Sequence, residues 1–277
     1  MKKGRQFDFK PTYSKRTAGA ALVIIIVLFI LLFTLSRNID EQIPESDRGV
    51  IGNFIEWFGV VYGVTLALVV VEVWKNFTMI NNEVDREADA LVLLLRTVSY
   101  LNDPNALKAF ASRLREYTDL ILQNSKNADE AKQKLDEVHE WIGNTINDEQ
   151  TPPILASEMI RLINEAIDLR GDRLAHERER IPKAFWSIVI IASILWLICF
   201  FGLKIEKVYI AFFICGSATF IVASLLFIIA DLNQPSEGFF RISFEPFEVL
   251  REELNRVQGK KSTFSGGKIP HHRAKRF

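Results

Sequence analysis

The sequence predicts an all-α membrane protein with four transmembrane helices and a helical cytoplasmic domain between the second and the third. Two observations support this fold class. Four apolar runs are each about 20 residues long, which is the length that a helix needs to cross the hydrocarbon core of a bilayer. No stretch alternates as a strand does, and a helix satisfies its own backbone hydrogen bonds in lipid. The predicted transmembrane helices cover residues 18–36, 54–75, 184–202 and 208–230.

The charged residues outside these runs predict the orientation of the chain. Residues 1–17 are basic, whereas the loop at residues 37–53 carries four acids against two arginines. Segments rich in Lys and Arg stay in the cytoplasm. We therefore expect both termini and the central domain in the cytoplasm, and the loop at residues 37–53 and the short turn at residues 203–207 on the outside.

The central domain, residues 76–183, is predicted to begin as a continuation of the second transmembrane helix. No Gly or Pro occurs between Asn76 and Leu101, so nothing in this stretch signals the end of a helix. The pattern predicts one helix from Trp57 to Tyr100, which at 1.5 Å per residue is about 65 Å long.

Three further helices follow in the central domain. Asp103 and Pro104 supply an N-cap and a first-turn residue for the first of them. The second begins near Asp129, the third opens after Pro153, and Pro182 should end it. Their apolar positions recur at three- and four-residue steps, as in amphipathic helices: Leu107, Phe110, Leu114 and Tyr117; Ala131, Leu135, Val138, Ile142 and Ile146; Leu155, Met159, Leu162, Ala166 and Leu169.

The last part of the chain divides into two segments. Residues 231–258 mix aromatic and acidic side chains and are expected to pack on the helical domain. Residues 259–277 are rich in Gly, Lys and His and are expected to be a disordered basic tail.

Composition and motifs exclude several classes of function. The 34 basic and 34 acidic residues balance, which gives no reason to expect a nucleic-acid partner. Both cysteines, Cys199 and Cys215, lie in apolar runs, so no disulfide framework or metal-ligand spacing occurs outside the membrane. No catalytic motif is present. We therefore expect no enzyme activity, no catalytic residues, no cofactor and no metal.

Small residues mark one face of the second span. Gly59 and Gly63 form a G-x-x-x-G pair, and Glu56 and Ala67 fall on the same face. Small side chains let helices approach closely in lipid, so Gly59, Gly63 and Ala67 are predicted helix-packing residues. The alternative is that the glycines widen a conduit or form a hinge.

A polar line follows another face of the same helix and continues beyond the membrane to Glu83 and Glu87. A water-filled pathway needs such a line, with an apolar constriction at Leu66 or Val69. The alternative is an ordinary solvated helix face, with Glu72 reaching the lipid headgroups. The pore-lining candidates are Tyr62, Thr65, Leu66, Val69, Glu72 and Asn76.

Asp231 closes the fourth span. An acid at a helix C-terminus opposes the helix dipole, so this position calls for a cation such as Arg170, Arg173 or Arg241. The predicted role is a salt bridge between the tail and the domain, and the alternative is an ion site.

Five segments in order along the chain form a recognisable set: Phe58–Gly63, Leu66–Phe77, Glu87–Ala90, Arg170–Leu174 and Asp231–Pro235. Together they resemble the bacterial bestrophin-like domain family of four-span membrane proteins, over residues 55–250. The resemblance implies kinship with bestrophins, which are pentameric anion or cation channels whose second span lines the pore and extends into a cytosolic helical domain.

Two functions follow as expectations. The first is a homo-oligomeric ion channel in a bacterial inner membrane, with the lipid bilayer and inorganic ions as its partners. The second is a non-conducting membrane anchor whose cytoplasmic helices bind a protein partner or sense a signal.

Overall fold

The computed structural model describes residues 29–30, 33–34, 44–123, 128–147, 151–202, 205–235 and 239–259. These residues form α-helices and connecting turns, and no strand occurs among them, which agrees with the predicted all-α class. The helices whose two ends lie among the described residues are α1 (Glu45–Ser99), α2 (Pro104–Leu122), α3 (Ala128–Ile146), α4 (Pro153–Arg178), α5 (Lys183–Gly202), α6 (Val208–Leu232) and α7 (Glu245–Val257).

The chain forms two compact units. Among the described residues, the membrane unit comprises those up to Asn82 and those of Arg173–Ile242, and the helical unit comprises those of Glu83–Asp172 and those from Ser243 onward. Helix α1 contributes residues to both, because it continues past Asn82 without interruption.

Helix α1 confirms the predicted continuity of the second span and is longer than expected. It has 55 residues and ends at Ser99, one residue before the predicted end. It also includes residues 45–53, which the sequence reasoning placed in an external loop. The Pro44 carbonyl accepts the N–H groups of Asp47 and Arg48, at 3.0 and 3.1 Å, and so starts the helix. Acids in a first turn favour helix formation there.

The helices begin and end close to the residues that were predicted to start and stop them. Asn102 adopts a φ of 53°, a left-handed conformation that Asn tolerates, in the turn between α1 and α2. The Asp103 carboxylate accepts the N–H of Asn105 at 2.8 Å and caps α2, which begins at Pro104. Helix α4 ends at Arg178, and the chain runs through Pro182 before α5 begins.

The helical unit is built around the predicted apolar stripes. Helix α2 packs against α3 and α7. The ring of Phe110 lies 5.1 Å from that of Trp141, and Tyr117 lies 6.3 Å from Phe247. Most of the predicted stripe residues are buried: Phe110, Leu114, Tyr117, Ala131, Leu135, Val138, Ile142, Met159, Leu162, Ala166 and Leu169.

The membrane unit holds helices that are long and apolar enough to cross a bilayer. In the described part of the chain three helices qualify, within Asp47–Ser99, Lys183–Phe201 and Val208–Leu232. The first predicted span lies outside the described residues apart from four helical positions, so the four-span layout stays a prediction. One of the four, Phe29, packs its ring 5.3 Å from that of Phe212 on α6.

The predicted packing segment after α6 contains α7, with Phe247, Leu250 and Leu254 buried in the helical unit. The predicted disordered tail lies outside the described residues from residue 260 onward, as do the N-terminal segment before residue 29 and residues 203–204 of the predicted turn at residues 203–207.

Candidate functional site

One side of the membrane part of α1 is buried against α5 and α6. Tyr62, Leu66 and Val69 belong to a cluster of buried side chains. Leu66 is only 2% exposed. Three of the predicted pore-lining residues therefore lie in a core that α1 forms with α5 and α6, and their pore-lining role stays a prediction. The cluster continues to Val73, Phe77, Val189, Val222, Ile229 and Leu232.

Tyr62 is held in this core by a hydrogen bond to α5. Its hydroxyl lies 2.5 Å from Ser193 Oγ. Ser193 donates its own proton to the Val189 carbonyl at 2.7 Å, so Tyr62 is the donor to Ser193. Both hydroxyl protons are used within the protomer. Tyr62 acts here as a link between α1 and α5.

The remaining candidates lie on or near the exposed side of α1. Thr65 is exposed, and its hydroxyl donates to the Val61 carbonyl at 2.9 Å, which satisfies it without water. Glu72 is exposed and makes no hydrogen bond or ion pair with any residue that the structure describes. Asn76 is half-buried and donates to the His176 carbonyl at 3.2 Å.

The expectation of a solvated helix face is wrong beyond the membrane part of α1. Glu83 is buried, and Glu87 is fully buried in the helical unit. Glu87 accepts a short hydrogen bond from the hydroxyl of Tyr117, which is also fully buried. The helical periodicity placed these acids on one face, but it could not show that Tyr117 of α2 covers Glu87 there.

A row of exposed side chains follows the opposite side of α1 at four-residue steps. Val60, Val64 and Leu68 are 65%, 57% and 65% exposed. Glu56 precedes them by four residues, Glu72 follows by four, and both are exposed. We call these five residues the exposed ridge. The sequence reasoning missed it because it grouped Glu56 with the glycines; the available signal was an acid at each end of an apolar i+4 row.

The small-residue face divides between packed and open positions. A Cβ at Gly59 would lie 3.2 Å from Trp196 Nε1, so the glycine permits close contact with α5. Trp196 also donates to the Ile55 carbonyl at 3.4 Å. A Cβ at Gly63 would meet no described atom within 4 Å, and Ala67 is exposed.

Asp231 is fully buried at the end of α6. Its two carboxylate oxygens accept the N–H groups of Phe239 and Phe240 at 2.8 and 2.7 Å. The sequence reasoning expected a cation there, but backbone amides, which no residue pattern reveals, supply these hydrogen bonds. Arg173 pairs with Glu177 at 3.1 Å. Arg170 donates to the Ala128 carbonyl at 2.7 Å in the helical unit.

Asn233, two residues later, holds the chain that enters α5. Its carbonyl accepts a short hydrogen bond from Arg180, and its Oδ1 accepts the N–H of Ile181 at 2.9 Å. Asp231 therefore holds the segment that follows α6, and Asn233 holds the segment that precedes α5.

No group of three or more His, Cys, Asp or Glu side chains that could hold a metal ion occurs among the described residues. The site that these residues form is therefore an apolar helix with one buried side, one exposed ridge and polar links towards the C-terminal end of its apolar part.

Comparisons with known proteins agree with this architecture. The chain is similar to the crystal structure of a bacterial bestrophin homologue from Klebsiella pneumoniae, with a TM-score of 0.68, 12% identity and coverage of 87% of this chain and 100% of that chain. A single-residue variant of that homologue gives a TM-score of 0.69 at 12% identity, covering 87% of this chain and 98% of that chain. At this identity the likeness shows the fold.

No curated protein sequence matches the chain. The family model described as the Bestrophin-like domain matches residues 21–247, which is most of its length. The chain therefore belongs to the bestrophin-like family.

Proposed function

We propose that the protein is a homo-oligomeric ion channel whose pore is lined by the exposed side of α1. The observation that carries this proposal is the exposed ridge, a row of apolar side chains with an unpartnered carboxylate at each end. Lipid can cover Val60, Val64 and Leu68, but an acid on a membrane helix needs water or a partner. A water-filled path between protomers supplies it.

Burial within the protomer reduces the number of residues that we propose to line the pore. Tyr62, Leu66 and Val69 are taken up by the core, so a constriction formed by Leu66 or Val69 would require repacking of that core. Val64 and Leu68 are open to the surroundings of the protomer, and an apolar ring formed by them would gate ions by dewetting. Thr65 and Glu72 remain candidates because both are exposed.

Family membership supports the same proposal, because the solved neighbours are described as bestrophin homologues. In the proposed arrangement the protein lies in a bacterial inner membrane, with both termini and the helical unit on the cytoplasmic side. A five-fold ring of protomers is the expected assembly.

The test is conductance together with particle symmetry. The purified full-length protein is reconstituted in planar bilayers and also imaged in nanodiscs. We expect single-channel currents and a ring of protomers around a central path. A monomeric or dimeric particle without such a path, or a silent bilayer at all voltages, contradicts the proposal.

A second candidate function is a non-conducting membrane anchor. The observation in its favour is that the helical unit exposes large apolar side chains, with Tyr100 at 66%, Ile154 at 82% and Val249 at 52%. Affinity purification from native membranes tests it. A stable protein partner that is lost on Ile154→Asp substitution supports the anchor, and its absence in a conducting protein rejects it.

A further inference from the structure

Helix α7 ends in a turn that directs the chain away from the helix axis. Gly259 has a φ of 68°, the left-handed conformation that commonly follows the last turn of a helix. Its N–H donates to the Arg256 carbonyl at 3.1 Å, and the Gln258 side chain accepts a hydrogen bond from Arg115 of α2 at 3.0 Å. The chain therefore leaves the helical unit at a fixed point, beside α2 and the last turn of α7.

The chain beyond this point and the helical unit carry opposite charges. Residues 260–277 contain six Lys and Arg and no acid. Residues 83–172 and 243–259, which belong to the helical unit, contain 22 Asp and Glu against 12 Lys and Arg. Opposite net charges attract, and the covalent link keeps the basic segment at a high local concentration beside the unit. The helical unit is therefore a complementary surface for this segment.

The outer face of α7 offers the segment both acids and an apolar contact. Val249 is 52% exposed, and Glu245, one turn before it, is exposed. Glu252 and Glu253 lie on the next turn, where Arg256 approaches them at 3.9 and 3.0 Å and leaves part of each side chain exposed. An apolar residue between acids suits a segment that combines basic and apolar side chains. The segment supplies Lys260, Lys261, Phe264, Lys268 and Ile269.

One buried acceptor on α7 lacks a donor among the residues that the structure describes. The Oδ1 atom of Asn255 is buried and accepts no hydrogen bond from any of them. Buried polar atoms normally have a hydrogen-bond partner. Asn255 precedes Gly259 by one helical turn, so a chain that turns back at Gly259 can place a backbone N–H beside this atom.

The distances allow the segment to lie along α7. Val249 is ten residues before Gly259, which is about 15 Å along the helix. The five residues from Lys260 to Phe264 span up to about 17 Å when extended. Phe264 can therefore reach Val249, while the two lysines that open the segment stay near the C-terminal end of α7, the helix end that favours cations.

We propose that residues 260–268 fold back along the outer face of α7 and dock on it. Phe264 covers Val249, and the lysines of the segment face Glu252 and Glu253. Helix α7 is thus a docking surface for a basic segment of its own chain. This inference does not depend on conduction, because every contact in it lies within one protomer and outside the apolar helices.

Disulfide trapping in the full-length protein tests this inference. Val249→Cys and Phe264→Cys are combined, and the protein in nanodiscs of a neutral lipid is oxidised with copper phenanthroline. We expect a disulfide within one chain, identified by mass spectrometry of the non-reduced peptides. Ile154→Cys with Phe264→Cys is the matched control, because Ile154 is 82% exposed on α4. Its yield should be about fivefold lower or less, since docking raises the effective concentration of the tail thiol only at α7.

Charge reversal separates docking from chance collision. Glu252→Lys with Glu253→Lys should lower the disulfide yield about fivefold or more, as should about 1 M NaCl, because salt screens the attraction between exposed charges. Adding Lys260→Glu and Lys261→Glu to the same chain should recover the yield. Equal yields from the two cysteine pairs, or a yield that responds neither to charge reversal nor to salt, overturn the proposal.

Nanodiscs that contain phosphatidylglycerol distinguish α7 from an anionic lipid surface as the binding partner. Clusters of Lys and Arg are attracted to anionic lipid. Docking on α7 predicts the same disulfide yield in neutral and anionic nanodiscs. A yield that collapses in the anionic lipid shows that the segment binds the membrane, and disulfides formed only between chains show that it docks on a second copy. Either result overturns the proposal.

Discussion

The hydroxyl of Tyr62 on α1 donates a 2.5 Å hydrogen bond to the hydroxyl of Ser193 on α5, and Ser193 passes the chain of hydrogen bonds on to the Val189 carbonyl. A polar contact between two apolar helices fixes their rotation relative to each other, because a rotation of either helix would break it.

Removing this contact should destabilise the protein without changing ion selectivity. Tyr62→Phe and Ser193→Ala are each expected to lower the free energy of unfolding in detergent by about 0.6 kcal/mol, the average for such bonds between membrane helices. The double variant should lose little more than either single variant. Tyr209→Phe is the control, since Tyr209 is 69% exposed. A changed conductance with unchanged stability would instead place Tyr62 in the pore.

The carboxylate of Asp231 should stabilise the fold at the end of α6. Asp231→Asn replaces one acceptor oxygen with an amide that faces a backbone N–H donor. We expect a loss of about 1.5–3 kcal/mol in the free energy of unfolding, the range for a buried hydrogen bond to a charged group. Thermal unfolding in detergent measures it. Asp168→Asn, on an exposed residue, should have no effect. Equal stability of both variants contradicts the described role.

The buried hydrogen bond between Tyr117 and Glu87 should likewise stabilise the helical unit. Tyr117→Phe keeps the ring in place but leaves Glu87 without this donor in a buried environment. The expected cost is about 1–3 kcal/mol. The control is Tyr100→Phe, because Tyr100 is 66% exposed. Loss of protease resistance in the Tyr117 variant, and not in the control, would confirm the prediction; the reverse pattern would reject it.

The two glycines of the small-residue face should respond differently to the same substitution. Gly59→Leu must displace Trp196 and should lower the melting temperature of the protomer. Gly63→Leu has open space within the described protomer, so the melting temperature should hold or rise, since Leu is the better helix former. Size-exclusion chromatography then shows whether Gly63 packs between protomers, because in that case the Leu variant dissociates the oligomer.

Glu158 on α4 is expected to make a pH-dependent contribution to the stability of the protein. Arg161 donates hydrogen bonds of 2.9 and 2.7 Å to both carboxyl oxygens of Glu158 and holds the pKa of that carboxyl below its usual value. A lowered folded-state pKa stabilises the protein above the ordinary glutamate pKa of about 4.3, and this contribution is lost as the pH falls through the lower value.

The difference in melting temperature between wild type and Glu158→Gln should therefore be small but positive at pH 7 and vanish in acid. Glu140→Gln removes an exposed acid of α3 and serves as the control. A difference that grows as the pH falls would contradict the assignment.

Helix boundaries could be predicted from sequence because local chemistry decides them. Asp103 with Pro104 starts α2, and Pro182 lies in the break between α4 and α5, because these residues act on the backbone beside them. The buried stripes of α2, α3 and α4 could also be predicted from the sequence, since each of these helices has one strongly apolar face.

The sequence could not predict which residues of the polar line on α1 are buried and which are exposed. Tyr62 and Thr65 differ by only about 60° around the helix, yet one is in the core and the other is exposed. Helical periodicity gives the relative positions of side chains, but the edge of the core depends on where α5 and α6 pack. A membrane helix is apolar on both sides, so hydrophobicity does not mark that edge either.

The uninterrupted course of α1 has a consequence for how this chain can vary in length. Inserting one residue near Arg86 would turn every later residue of α1 by about 100° relative to the earlier ones. Val84 and Leu91, both buried in the helical unit, could not then both keep their places. Insertions of about seven or eleven residues bring the faces back to within about 20°. Natural relatives that keep this helix should therefore differ here by whole multiples of turns, and single-residue insertions should be rejected.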